Sequence, residues 1–264
     1  MGRRAVHHVR VLALFAALAL AQGCQEGEQL KREAPALAHA NLRIDRIAIA
    51  GVVSEVGALA DSDESRANWS VLIGDHFARD RFGGLPIVSF SDVREMLGEH
   101  DHIVLLDRFK GDGECGEQIL ADLNLLFGST ARFVVFGNIL EDDIERSESE
   151  SEVIDEKTKK VTSRIKTMST SRTTTVRLRF YDLSDKQLAW DHLAIGRSSV
   201  SKQHDMTDIV EHDPKEGFLG GLLTSVVNST LKPDPKYPPA PGLESSLSCA
   251  FDDVGAYLKP SKKR

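Results

Sequence analysis

The sequence predicts an α/β fold, a mixed sheet packed with helices and carrying an extended polar β-hairpin arm. Three observations predict it. Between Arg43 and Leu140, compact β-branched runs alternate with segments whose apolar residues recur at helical spacing. Between Thr173 and Arg197, apolar and polar residues alternate about a short turn, as in a hairpin with one buried face. Residues 147–152 read Ser-Glu-Ser-Glu-Ser-Glu, so one face of a strand there would be serine and the other glutamate.

The elements follow in order. Ile44, Ile47, Ile49, Val52 and Val53 predict a first buried strand. Asp61 or Ser62 can cap a helix on which Trp69, Leu72, Ile73, His76 and Phe77 share a side, ended by Gly83-Gly84. Leu85–Phe90 reads as a short strand. Ser91 is expected to cap a helix bearing Val93, Met96 and Leu97, stopped at Gly98. A further helix runs from about Cys115 to Phe127 with Ile119, Leu120, Leu123, Leu126 and Phe127, and Arg132–Leu140 is another buried strand. Alternating strands and helices imply right-handed crossovers. Residues 173–181 and 187–197 then form a β pair about the turn 182–186, and residues 146–170 form the polar arm. Residues 213–242 are rich in Gly and Pro, with the apolar run GFLGGLLTSVV at 217–227. A last helix over 243–258 offers Leu247, Phe251, Val254 and Leu258 to a core, and 259–264 is a basic tail.

The N-terminal stretch carries Arg3, Arg4 and Arg10 with no acid, then the apolar run 11–21, then Gln22-Gly23-Cys24. That order is an export signal, and its apolar run is short of the roughly 20 residues a membrane span needs. Residues 20–24 resemble the bacterial lipobox, which ends in Gly or Ala before a lipid-modified cysteine. The resemblance implies cleavage before Cys24, residues 1–23 as a lipoprotein signal peptide and 24–42 as a polar tether. Gln25, where Asp would retain such proteins at the inner membrane, implies transfer to the outer membrane. The formal charge of −7 becomes −10 once residues 1–23, with three Arg and no acid, are removed. Such a surface excludes nucleic acid as a partner. With Cys24 modified, Cys115 and Cys249 remain, and in an oxidising compartment they either form one disulfide or stand as two thiols.

No motif supplies a nucleophile, and no cofactor is implied. Gly111-Asp112-Gly113 reads as a turn. His100-Asp101-His102 and the looser set His204, Asp205, His212 and Asp213 have metal-ligand chemistry but not the convergent spacing of a site, and read as surface loop residues. Glu141-Asp142-Asp143 lacks the spacing of a calcium loop and reads as a solvated turn.

Four segments carry a family resemblance: 43–53, containing RIAIAGVV; 85–97, LPIVSFSDVREML; 125–139, LLFGSTARFVVFGNI; and 176–191, VRLRFYDLSDKQLAWD. In this order they resemble the CsgG-like and TolB-N-terminal-like bacterial lipoproteins, which share an α/β sandwich. The resemblance spans about residues 43–200 and implies a CsgG-like domain over 43–258 with no shared catalytic residues. Pore-forming relatives pass apolar hairpins through the membrane. The Ser/Glu pattern at 147–152, followed by Lys157, Lys159 and Lys160, is the wrong chemistry for lipid. The implied protein is a non-enzymatic outer-membrane lipoprotein facing the periplasm. It would bind another envelope protein as an adaptor, or associate with its own copies in an export or assembly complex.

Overall fold

The computed structural model describes residues 32–33, 42, 44–79, 85–155, 161–206 and 236–258. They form β1 (Arg32–Glu33), β2 (Ile47–Ser54), α1 (Asp63–Ala78), β3 (Ile87–Val88), α2 (Phe90–Leu97), α3 (Glu99–Asp112), α4 (Glu117–Phe127), β4 (Phe133–Ile154), β5 (Val161–Asp182), β6 (Gln187–Asp205) and α5 (Leu243–Tyr257). The strand order is β1-β6-β5-β4-β2-β3, open rather than closed into a barrel. β2 is parallel to β3 and β4, while β1 is antiparallel to β6, so the sheet is mixed as predicted. β1 falls inside the stretch expected to be a tether. The described residues pack as two compact units. The first comprises residues up to 142 with 174–197 and 244 onward, and the second comprises 143–173 and 198–243.

In the first unit helices cover both faces of the sheet. Phe136 stacks on Phe109 of α3, with ring centroids 4.7 Å apart. Its neighbour Gly137 must point the other way, and a side chain there would meet Val52 and Leu178. Phe180, two residues from Leu178 and so on the same face, stacks on Phe77 of α1. Thus α1 and α3 lie on opposite faces, and β2 between them is buried along its length. The Ser70 hydroxyl on α1 accepts the Val52 N–H at 2.8 Å, and α5 joins the α1 layer through His76–Asp252 at 2.6 Å.

One irregularity organises β2. Ile49 pairs with Val135 and Gly51 with Phe136, so Ala50 is an extra, bulged residue. Gly51 there has φ +154°, and a Cβ on it would press into Leu106 of α3. The bulge frees the Ala50 carbonyl, which accepts a hydrogen bond from His102 Nε2 at 2.7 Å.

Several expectations need correction. The helix 99–112 was not predicted. Gly98 joins it to α2 without a loop and no side chain caps it, so the usual start signal is missing. Its buried residues His102, Leu105, Leu106 and Phe109 nevertheless fall at helical spacing. The cap of α2 is Ser89, not Ser91. Ser89 and Asp92 form a capping box, which shortens the predicted strand 85–90 to Ile87–Val88. Leu126 faces outward at 47 % exposure, while Leu120, Leu123 and Phe127 are buried. α1 ends at Ala78, and the expected stop Gly83-Gly84 lies outside the described residues. Leu247, Phe251, Val254 and Leu258 are buried as expected.

Candidate functional site: the polar arm

The second unit is built from the outer parts of β4, β5 and β6, together with residues 236–243. The last backbone pairing between β2 and β4 is Ser54↔Ile139. Beyond it, residues Arg146–Glu152 of β4 have β5 on one side and no described strand on the other, and every one of them is exposed. Ion pairs tie the two strands: Glu148–Lys166 at 2.9 Å, Glu150–Lys166 at 4.0 Å and Glu152–Arg164 at 2.8 Å. Glu148 beside Lys166 holds that ammonium above its ordinary value. Such exposed pairs contribute little to stability. A groove of about 430 Å³ lies at this end, lined by Glu150, Ser151, Glu152, Arg164, Lys166 and Met206 among others.

A proline-rich strap holds the middle of the arm. Pro238, Pro239 and Pro241 have no N–H, so the segment offers carbonyls. Thr170 donates to the Pro238 carbonyl at 2.7 Å and Arg172 to that of Pro241 at 3.0 Å. Tyr237 lies under the Arg146 guanidinium, 5.7 Å from the ring centroid. On β5 and β6, Ser169 and Ser201 share a hydroxyl hydrogen bond at 2.8 Å. The hairpin arm expected over 146–170 is therefore ordered strand at 146–154 and 161–170, with 156–160 outside the described residues. Deleting residues 146–170 is expected to leave the first unit folded, because its core draws on none of them. A single cooperative melt should persist, shifted by less than about 5 °C, and loss of cooperativity in a calorimetric scan would contradict this.

The other residues singled out in the sequence take structural places. Cys24 lies outside the described residues, as do His212, Asp213 and the run 217–227. Cys115 and Cys249 are not joined by a disulfide. Cys115 sits on the α3 side of the sheet, where its N–H donates to the Tyr181 hydroxyl at 3.1 Å. Cys249 rides on α5, on the opposite face. Burial pushes the Cys115 thiol up to about 12, so it is no nucleophile at neutral pH. His100, Asp101 and His102 are not in a loop but open α3, and only His102 is buried among them. His204 and Asp205 end β6. Glu141, Asp142 and Asp143 are strand rather than turn, and the first two accept from Thr175 at 3.1 Å and Thr174 at 3.0 Å. Gly111-Asp112-Gly113 ends α3, with Gly113 at φ +71°. Among the described residues, no three His, Cys, Asp or Glu side chains are grouped to hold a metal ion, and no helix is long and apolar enough to cross a membrane.

Two contacts were not legible in the sequence. α5 presents Asp252 to His76 and Asp253 to His192, the second pair 3.4 Å apart beneath Trp190 and Tyr257. Burial lowers the His192 imidazole, against the pull of Asp253, and burial likewise lowers His102, against the Ala50 carbonyl. Both are therefore kept neutral. Below an unfolded value of 6.5 the unfolded chain binds more protons than the fold, so stability is full above that pH and falls as the pH drops below it. Each imidazole can contribute at most about 1.4 kcal/mol per pH unit. Urea melts at pH 7.5, 6.5 and 5.5 should show this loss, and His102→Gln should reduce its slope. An unchanged slope would remove His102 from the account.

No family model matches the chain, and no curated protein matches it. Among solved structures it is similar to lipoprotein GNA1162 from Neisseria meningitidis, at 15% identity and a TM-score of 0.26, covering 70% of this chain and 96% of that one. It is also similar to the PelC dodecamer from Paraburkholderia phytofirmans, at 11% identity and a TM-score of 0.36, covering 89% and 100%. A third is the hypothetical protein CT253 from Chlamydia trachomatis, at 11% identity and a TM-score of 0.33, covering 80% and 96%.

Proposed function

We propose that the chain is a non-enzymatic, lipid-anchored protein of the bacterial cell envelope. Cys24 holds it to the outer membrane on the periplasmic side. Its α/β unit is of the CsgG-like kind, and its polar arm is the contact surface of an adaptor for another envelope protein. The observation that carries this reading is the arm. Residues Arg146–Glu152 are all exposed, so ordering them costs about 1–2 kcal/mol per residue of backbone entropy that no burial repays there. A contact along the arm would use that order. Three buried ionisable groups in turn have structural partners: Arg66 on Asp61, Asp182 on Arg132, and His102 on Ala50.

Two experiments test the reading. Cys24→Ser should release the protein from membranes and abolish incorporation of labelled fatty acid, and continued acylation would refute the anchor. Crosslinking of the full-length protein in whole envelopes, followed by mass spectrometry, should yield one dominant envelope protein. A regular ladder of self-crosslinks would replace the adaptor with a subunit of an oligomeric export or assembly complex.

A further inference from the structure

We infer that the open edge of β4 between Arg146 and Glu152 takes up an extended, basic segment of a partner protein as an added strand. This rests on the arm being the contact surface. The edge carries the backbone groups for a new ladder, because β2 stops pairing at Ser54↔Ile139 while β4 runs on to Ile154. Alternate side chains set the chemistry of the incoming strand. Glu148, Glu150 and Glu152 lie on one face about 7 Å apart, and Ser147, Ser149 and Ser151 on the other. Among the described residues, Lys166 and Arg164 are the cations paired with the three carboxylates, so negative charge is left over there. Arg146, the cation of this stretch, already lies over Tyr237. Lys or Arg at every second position of an added strand would stand beside the glutamates, and its intervening small polar residues beside the serines.

A second copy does not fit. Antiparallel self-pairing centred on Glu150 sets Glu148 against Glu152 and Glu150 against itself, and in-register parallel pairing sets every glutamate against its equal. Like charges directly opposite are destabilising. The same glutamates therefore reject self-assembly and select a cationic strand.

The test uses full-length protein in nonionic detergent and a fluorescent peptide of about ten residues alternating Lys with Thr. Anisotropy should show binding, and none by the same peptide with Glu for Lys. N-methylation of two adjacent central amides of the Lys peptide blocks both of its edges and should weaken binding about tenfold. Glu148→Gln/Glu150→Gln/Glu152→Gln, at exposed positions, should also weaken it about tenfold. Failure of the Lys peptide to bind, or equal binding after N-methylation or in the triple variant, overturns the inference. So does a wild-type dimer that the triple variant dissolves, which would make a second copy the occupant. In envelope crosslinking, deletion of 146–170 should abolish capture of the partner, and so should the triple variant. Capture kept by the triple variant but lost on deletion sinks the edge alone. Capture that survives the deletion sinks the arm as a contact surface as well.

Discussion

Gly196→Ala is expected to destabilise the first unit by about 3 kcal/mol or more. Gly196 lies in β6 directly under α5, and a methyl group there would overlap the Ser246 carbonyl oxygen and come within 2.7 Å of the Ala250 nitrogen. Both are helix backbone atoms, so no rotamer change relieves the overlap. Relief requires moving α5, and with it Leu247, Ala250, Phe251 and Val254, which are all fully buried. Gly57→Ala is the control, because nothing lies within 4 Å of a Cβ there, and it should stay within about 0.5 kcal/mol of wild type. Urea unfolding of both variants checks the pair. Equal stabilities would mean that α5 does not press on β6 as described.

Arg66→Met is expected to cost about 3 kcal/mol. Arg66 grips Asp61 with two hydrogen bonds, at 3.0 and 2.8 Å, and reaches Asp107 at 2.8 Å. Lys110 also contacts Asp61, at 2.6 Å. Asp61 precedes α1, while Asp107 and Lys110 stand on α3, so the cluster clasps two helices that cover opposite faces of the sheet. Burial pushes the Asp61 carboxyl up, but hydrogen bonds and charge from Arg66 and Lys110 together hold it below 3.8. Without Arg66 a buried carboxylate keeps only a half-exposed lysine. Lys110→Met should cost about 1 kcal/mol or less, since that side chain is 36 % exposed and the Arg66 pair remains. Asp61→Asn added to Arg66→Met should recover part of the loss, because the uncompensated charge is gone. A double variant no more stable than Arg66→Met would refute the clasp. With the Asp61 value depressed, its contribution is present above pH 3.8 and lost as the pH falls below that.

Local pattern made much of the fold legible. Trp69, Ile73 and Phe77 marked α1, Leu247, Phe251 and Val254 marked α5, and alternation at Val176, Leu178 and Phe180 marked β5, because amphipathic period is written into residue order. Two readings of polar side chains fell short. His100-Asp101-His102 read as surface loop residues, which hid a helix whose apolar spacing was present. Cys115 and Cys249 left either a bridge or two thiols open, and the structure holds two free thiols with the sheet between them. The arm was legible as alternation of Ser and Glu, but its edge was not, since an edge is defined by which strand is missing beside it.

Residue order alone settled the α/β class, the succession of strands and helices apart from β1 and α3, and the polar character of the arm. The tertiary structure decided which distant groups meet. His102 reaches a carbonyl 52 residues away that a bulge has freed, and His76 meets an aspartate 176 residues away. Gly196 is required by a helix that begins at Leu243. The reason is physical: periodicity is a property of neighbours in the chain, whereas burial, close backbone approach and hydrogen-bond satisfaction depend on neighbours in space.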